Sequence, residues 1–181
     1  PFAGRVDFAE KFGAETPGSV EWALHWTPAR DGSMSSYVNT VPTAEGGSHE
    51  TGFWAAMLKA LRAHGERANN RKARELSRED VAGAAAALVS VFIREPEFVG
   101  QTKDRLAGTE PARLVEGAVR DRVDTWLAAD PRRASALLDF CVLRMEERQR
   151  RRAEKETARK SAVKKLRLPG KLADCADARK D

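Results

Sequence analysis

Leu88-Val89-Ser90-Val91-Phe92-Ile93 is the stretch on which the fold class turns. Val and Ile are branched at Cβ, lose rotamer freedom in a helix and pack well on a pleated surface, so the run reads as a buried strand. Towards the N-terminus, Ser19–Trp26 alternates. Val20, Trp22, Leu24 and Trp26 fall on one side and Glu21, Ala23 and His25 on the other, the period of a half-buried strand. Asp31-Gly32 signals a turn, and residues 35–41 (SSYVNTV) form a second β-branched stretch, so the economical reading is a β-hairpin stopped by Pro42. Thr43–Gly52 is too rich in Gly and polar residues to continue either element and reads as a loop.

From Thr51 to about Ala68 the period becomes helical, with Phe53, Met57, Leu58 and Leu61 on one face. Asn69-Asn70 then breaks the pattern before a basic, solvated loop. Ser77 and Asp80 have the spacing of a capping box opening an Ala-rich helix that leads into Leu88. The expected order in the first hundred residues is therefore β-β-α-α-β, an α+β domain with helices packed on a mixed sheet. Arg94–Gly108, with Pro96, Gly100 and Gly108, is a long connection of the kind that carries function. Glu110–Ala128 is an amphipathic helix, and Asp130-Pro131 caps and opens the next. That helix starts apolar (Leu137, Leu138, Cys141, Val142, Met145) and then loses its stripe. Glu146–Lys165 is almost entirely charged or small, as in an exposed or bridging helix.

Charge is unevenly spread along the 181 residues, which hold 32 Lys+Arg against 27 Asp+Glu. Residues 150–181 carry 12 basic and 5 acidic side chains, a surplus of +7, which leaves −2 for residues 1–149. A uniformly polycationic binder is excluded, and any polyanion contact is directed to the C-terminal segment. No apolar run approaches the roughly 18 residues of a membrane span, and residues 1–20 do not form a signal peptide. Cys141 and Cys175 lack the spacing of a zinc site or a disulfide framework, which makes a reducing, cytoplasmic setting the default. Pro1 is no initiator, and the expectation is a piece of a longer chain.

Three groups of residues could carry chemistry. In Gly100-Gln101-Thr102-Lys103, an ammonium beside a glycine, with an amide and a hydroxyl nearby, could meet a phosphate; the plainer account is solvated loop residues. In Glu45-Gly46-Gly47-Ser48-His49-Glu50, His49 could be an acid/base group or a metal ligand, and would make this a self-sufficient hydrolase. The plainer account is a loop histidine that caps the helix beginning near Thr51 or bonds neighbouring backbone. His25 and His64 are isolated, and the only tyrosine, Tyr37, fits ordinary sheet packing. Third, the Arg148–Lys165 run is either a solvated helix held by i,i+4 pairs or a phosphate-lining helix that contacts the nucleic-acid backbone without base readout.

Four segments in order, SYVNTVPTAEGGSH (36–49), QTKDRL (101–106), the Arg/Lys-rich helix and LPGKLADC (168–175), resemble the B subunits of bacterial type IIA topoisomerases. The wording of the first two is closer to the topoisomerase IV form of these subunits than to the gyrase form, and Ser48 stands where the family usually has Thr. The resemblance covers nearly the whole chain. It implies the transducer domain that follows a GHKL ATPase domain, with a left-handed βαβ crossover. It implies domains at 1–130 (transducer core), 131–167 (a long basic helix linking the ATP gate to the DNA gate) and 168–181 (linker and start of the TOPRIM domain).

On the same resemblance, Gln101 and Lys103 contact the γ-phosphate of ATP held by the upstream domain, and no catalytic or metal-ligating residue lies in this segment. The Mg2+ ligands and the general base would lie beyond its ends, and the DNA-cleaving tyrosine on the topoisomerase A subunit. Arg148, Arg151, Arg152, Lys155, Arg159 and Lys160 are candidates for the backbone of double-stranded DNA. The implied assembly is a cytoplasmic, nucleoid-associated enzyme, without a membrane, homodimeric through the ATPase domain and paired with the A subunit. It would couple ATP hydrolysis to strand passage, with decatenation and relaxation and a role in chromosome segregation. The alternatives are gyrase-type negative supercoiling, or a stand-alone basic nucleic-acid-binding domain without nucleotide coupling.

Overall fold

The computed structural model describes residues 1–27 and 31–165, the last six without their side chains. The chain divides into two compact units, Pro1–Met145 and a second that begins at Glu146. In the first, strands β1 (Phe2–Asp7), β2 (Gly18–Trp26), β3 (Ser33–Val38), β4 (Val41–Pro42) and β5 (Ala85–Ile93) form one mixed sheet in the order β1-β2-β5-β3-β4. The helices are α1 (Phe8–Phe12), α2 (Ser48–Arg67), α3 (Arg78–Ala82), α4 (Glu110–Ala129) and α5 (Pro131–Lys165), with a 3₁₀ turn at Arg71–Glu75.

The run that decided the class is the middle strand. β5 pairs antiparallel with β2, where Trp22 faces Val89, and parallel with β3, where Ser36 faces Val89 from the other side. The expected β2–β3 hairpin does not form, because β5 lies between the two strands. An apolar run with both edges hydrogen-bonded is best placed in the sheet interior, and its insertion separates two strands that are neighbours in sequence. The connection from β3 back to its parallel neighbour β5 passes through β4, α2 and α3.

Three further departures have local causes. β1, unannounced by its short mixed sequence, pairs along its whole length with β2 and contributes Phe2 and Val6 to the core. The expected single stretch 35–41 is broken by Asn39 and Thr40, both at positive φ (49° and 68°), which turn the chain into β4 with Pro42 inside it. Nor do the alanines after Ser77 extend a helix: α3 stops at Ala82 and strand begins at Ala85. Alanine's helix propensity is worth only tenths of a kcal/mol per residue. Against it stand the two-sided ladder of β5 and the bonds that Thr27 and Gly32 donate to the carbonyls of Ala84 and Gly83, each at 2.9 Å.

The capping box is present. One Asp80 oxygen accepts from the Ser77 N–H (2.8 Å) and hydroxyl (2.7 Å). The residues after Asn69-Asn70 are not a solvated loop throughout, since Ala73 and Leu76 are fully buried. α4 begins at the expected residue, and the Asp130 carboxylate accepts from the Arg133 N–H at 3.1 Å to cap α5.

One face of the sheet (Val6, Val20, Trp22, Leu24, Val38, Val89, Val91) is covered by α2, α4 and the first part of α5, whose Leu137, Leu138, Cys141 and Met145 join the same core. α2 and α4 approach closely because Gly52 has no side chain: a Cβ there would overlap the backbone carbonyl of Ala112. Lys59–Glu116 and Arg67–Asp124 (3.7 Å) pair the same two helices at the surface, each contributing at most about 1 kcal/mol.

Candidate functional site

The two glycine-containing segments that look unrelated in sequence meet in space. Helix α2 starts at Ser48, three residues earlier than its apolar period suggests, so His49 belongs to its first turn and not to a loop. Against that turn lies the 94–109 connection. Its legs are joined by the Val99 N–H to the Arg105 carbonyl (2.9 Å) and the Ala107 N–H to the Glu97 carbonyl (2.7 Å), with Gly100–Asp104 at the tip. The returning leg is held to the glycine segment by four bonds. Glu45 N–H donates to the Asp104 carbonyl (2.9 Å), Leu106 N–H to Gly46 (3.0 Å), Ser48 N–H to Leu106 (3.1 Å), and the Ser48 hydroxyl to Ala107 (3.0 Å). Leu106 itself is buried.

Gly47 is required at this contact. Its φ is 138°, and a Cβ on it would overlap the backbone of Leu106. At the tip, Gly100 (φ 76°) and Lys103 (φ 59°) both occupy the left-handed region. For lysine that conformation costs free energy and persists because the bonds on either side hold it, the pattern of a residue placed for a purpose. Gln101, Thr102 and Lys103 are exposed, and neither Gln101 nor Lys103 has a side-chain hydrogen bond or ion pair among the described residues. The tip therefore presents an ammonium and an amide on a short, anchored turn, the donor set that suits phosphate oxygens.

Beneath the glycine segment lies a buried chain of polar side chains that the periodicity of the sequence did not reveal. The Ser36 hydroxyl on β3 lies 2.7 Å from the Thr43 hydroxyl, and the Thr43 Oγ1 lies 3.3 Å from His49 Nε2. All three residues are buried, His49 completely, and its Nδ1 has no partner among the described residues. Burial lowers the His49 pKa to about 4, so the imidazole is neutral at pH 7. Enclosed in this way, His49 has no route to a substrate, and neither the self-sufficient hydrolase nor the helix-capping loop histidine describes it. Thr43 reads in the sequence as the first residue of a polar loop and Ser36 as part of a β stretch, so nothing short-range links either to His49.

In α5, Arg151, Arg152, Lys155 and Arg159 are exposed, Arg148 is half-buried and engaged with a partner, and Arg150 pairs with Glu154 at 3.7 Å. The side chain of Lys160 and the segment 168–181 lie outside the described residues. Among the described residues no group of three or more His, Cys, Asp or Glu could hold a metal ion, and no helix is long and apolar enough to cross a membrane.

A mixed sheet flanked by helices in this arrangement is shared with the solved structures of a gyrase B ATPase domain and a topoisomerase IV ATP-binding domain. The 43K ATPase domain of Thermus thermophilus gyrase B, solved with an aminocoumarin, matches at TM-score 0.68 and 27% identity over 77% of this chain and 38% of that one. The topoisomerase IV ATP-binding domain of Francisella tularensis shares the fold at TM-score 0.67 and 24% identity, over 81% and 39%.

The chain belongs to the DNA gyrase B family, whose signature matches residues 4–157. Among curated relatives it is 50% identical to the B subunit of DNA topoisomerase 4 from Caulobacter vibrioides, over 99% of this chain and 26% of that protein. It is 52% identical to the corresponding protein of Bartonella bacilliformis, over 88% and 23%. The B subunit of DNA gyrase from Micrococcus luteus is 36% identical, over 93% and 24%. The chain thus spans about a quarter of the length of these relatives.

Proposed function

We propose that this chain is the transducer domain of the ATPase subunit of a type II DNA topoisomerase, coupling ATP binding and hydrolysis to passage of one duplex through another. The observation that carries the reading is the Gly100–Asp104 tip, where Lys103 is held in the left-handed region on a loop bonded to the start of α2. ATP, bound on an upstream domain, supplies a terminal phosphate that hydrolysis removes. The Lys103 ammonium and the Gln101 amide donate to that phosphate's oxygens, a contact present before hydrolysis and lost after product release. An anchored loop transmits the difference to α2 and the sheet as a change in preferred domain orientation.

The proposal extends to the rest of the chain. The crossover from β3 to β5 is left-handed, residues 1–130 form the transducer core, and residues 131–167 link the ATP gate to the DNA gate. Residues 168–181 lead to the TOPRIM domain. The DNA backbone is met by Arg148, Arg151, Arg152, Lys155, Arg159 and Lys160. Contacts to phosphates alone suit a segment that must release a captured duplex again. Mg2+, the topoisomerase A subunit and the homodimer interface are engaged by parts of the enzyme outside this chain, which works in the cytoplasm on the nucleoid in chromosome segregation.

Decatenation and relaxation by a topoisomerase IV are supported over gyrase-type supercoiling by the identity to the topoisomerase 4 relatives, 50% and 52%, against 36% to the gyrase relative. In the assembled enzyme, Lys103→Ala is expected to lower ATP hydrolysis and strand passage together by about 10- to 100-fold, the loss of one charged hydrogen bond, while ATP-independent DNA cleavage is kept. An unchanged hydrolysis rate would overturn the assignment of Lys103.

A further inference from the structure

We infer that the buried Ser36–Thr43–His49 chain is a clasp that positions the Lys103 loop, which makes Thr43 and His49 positioning residues for a site that neither of them touches. The returning leg of the Gly100–Asp104 tip takes its backbone bonds from residues 45–48, while Leu106 packs into the core, so the direction of the tip follows that of the glycine segment. Gly46 and Gly47 supply no side chains to fix themselves, and glycine has the largest backbone freedom to lose on ordering. What fixes them lies on either side.

On the N-terminal side, Thr43 is tied to β3 three times. Its N–H donates to the Ser36 carbonyl (2.9 Å), its carbonyl accepts from the Ser36 hydroxyl (3.1 Å), and the two hydroxyl oxygens are 2.7 Å apart. On the C-terminal side, His49 is buried in the first turn of α2 and returns to Thr43 through Nε2. The loop formed by residues 43–49 is therefore held by a backbone turn, Gly46 N–H to the Thr43 carbonyl (2.9 Å), and closed across its base by the Thr43–His49 contact, with the four bonds to the Lys103 loop on its outer edge.

Polar groups buried in this way are costly unless bonded, and a hydrophobic pair of the same shape would pack as well without fixing a direction. The chain's use is geometric: it sets how the glycine segment meets Leu106. The consequence for ATP use rests on the proposed role of Lys103, whereas the clasp itself does not.

Amide hydrogen exchange in the 181-residue chain tests the clasp directly at the N–H groups of Glu45, Ser48, Val99 and Leu106. Thr43→Val keeps the shape and removes the hydroxyl, and is expected to speed exchange at these four amides by about ten- to a hundredfold, the loss of its two buried contacts to Ser36 and His49. Val123→Ala, a core truncation in α4, controls for global destabilisation, and Thr43→Ser is expected to restore parental exchange. Ser36→Ala, which removes the Ser36 hydroxyl from the clasp and leaves the Thr43–His49 contact, serves as the milder variant should Thr43→Val not fold. Exchange at the four amides no faster than in Val123→Ala at matched global stability would overturn the clasp.

In the assembled enzyme, Thr43→Val is expected to lower kcat for ATP hydrolysis more than it raises KM, with Thr43→Ser again close to parental. Faster exchange with unaltered hydrolysis would leave the clasp standing and overturn its positioning role in ATP use, whereas the role of Lys103 itself falls only with Lys103→Ala, so the two failures are distinguishable.

Discussion

Acidification isolates the buried imidazole of His49. Its pKa is lowered from 6.5 to about 4 because burial disfavours the charged form, and the side chain is 0% exposed. In the unfolded chain the ring takes up a proton near pH 6.5, while in the folded chain it resists protonation until about pH 4. The unfolded state therefore binds more protons throughout that window, and stability falls as pH drops through it. With 1.36 kcal/mol for each pKa unit, the loss attributable to this one group is about 2 kcal/mol between pH 7 and pH 4.5, approaching about 3 kcal/mol below pH 4. The perturbation is His49→Gln, which keeps a polar side chain of similar reach and cannot titrate. Urea unfolding of both chains at pH 7.0, 6.0, 5.0 and 4.5 would measure the slopes. The parent is expected to lose stability more steeply than the variant by that margin, while carboxylates common to both chains cancel in the difference. Parallel stability curves would refute the claim that His49 is held neutral by burial.

Two further expectations concern the same unit. Gly47→Ala places a methyl group against the Leu106 backbone at φ 138° and is expected to cost about 2–5 kcal/mol from strain and displacement; a thermal shift equivalent to less than about 0.5 kcal/mol would contradict the contact. The Cys141 thiol is pushed up to about 12, first by burial and then by the negative charge of Asp80, with Arg144 opposing. Alkylation at pH 8, mapped by peptide mass, is expected to reach Cys141 only through unfolding, and labelling at the rate of a free thiol would count against its burial.

Much of the local structure was legible in the sequence because the signals are short-range. The alternation of Val20, Trp22 and Leu24, the start of α4 at Glu110, the Asp130 cap before Pro131 and the Ser77–Asp80 box each depend on residues within a turn or a strand's length of one another. The Lys103 loop was visible as a loop with a lysine beside a glycine, and its functional reading came from ordered resemblance to a family.

Tertiary structure decided the rest. Whether Ala85–Ala87 continues a helix or opens a strand turns on two neighbouring strands that come from residues 18–38, far outside any propensity window. The same insertion of β5 replaces the hairpin expected between β2 and β3, since strand order is fixed by which edges must be paired and not by sequence proximity. His49 shows the limit most clearly. Its chemistry follows from complete burial against Thr43, and its contribution to the loop follows from Ser48 meeting Ala107 across 59 residues of chain. Composition and short-range pattern establish a β-rich first third, a glycine pair, a lysine-bearing loop and a basic C-terminal segment. Only the fold, by packing the start of α2 against the returning leg of that loop, made the first two into the support of the third.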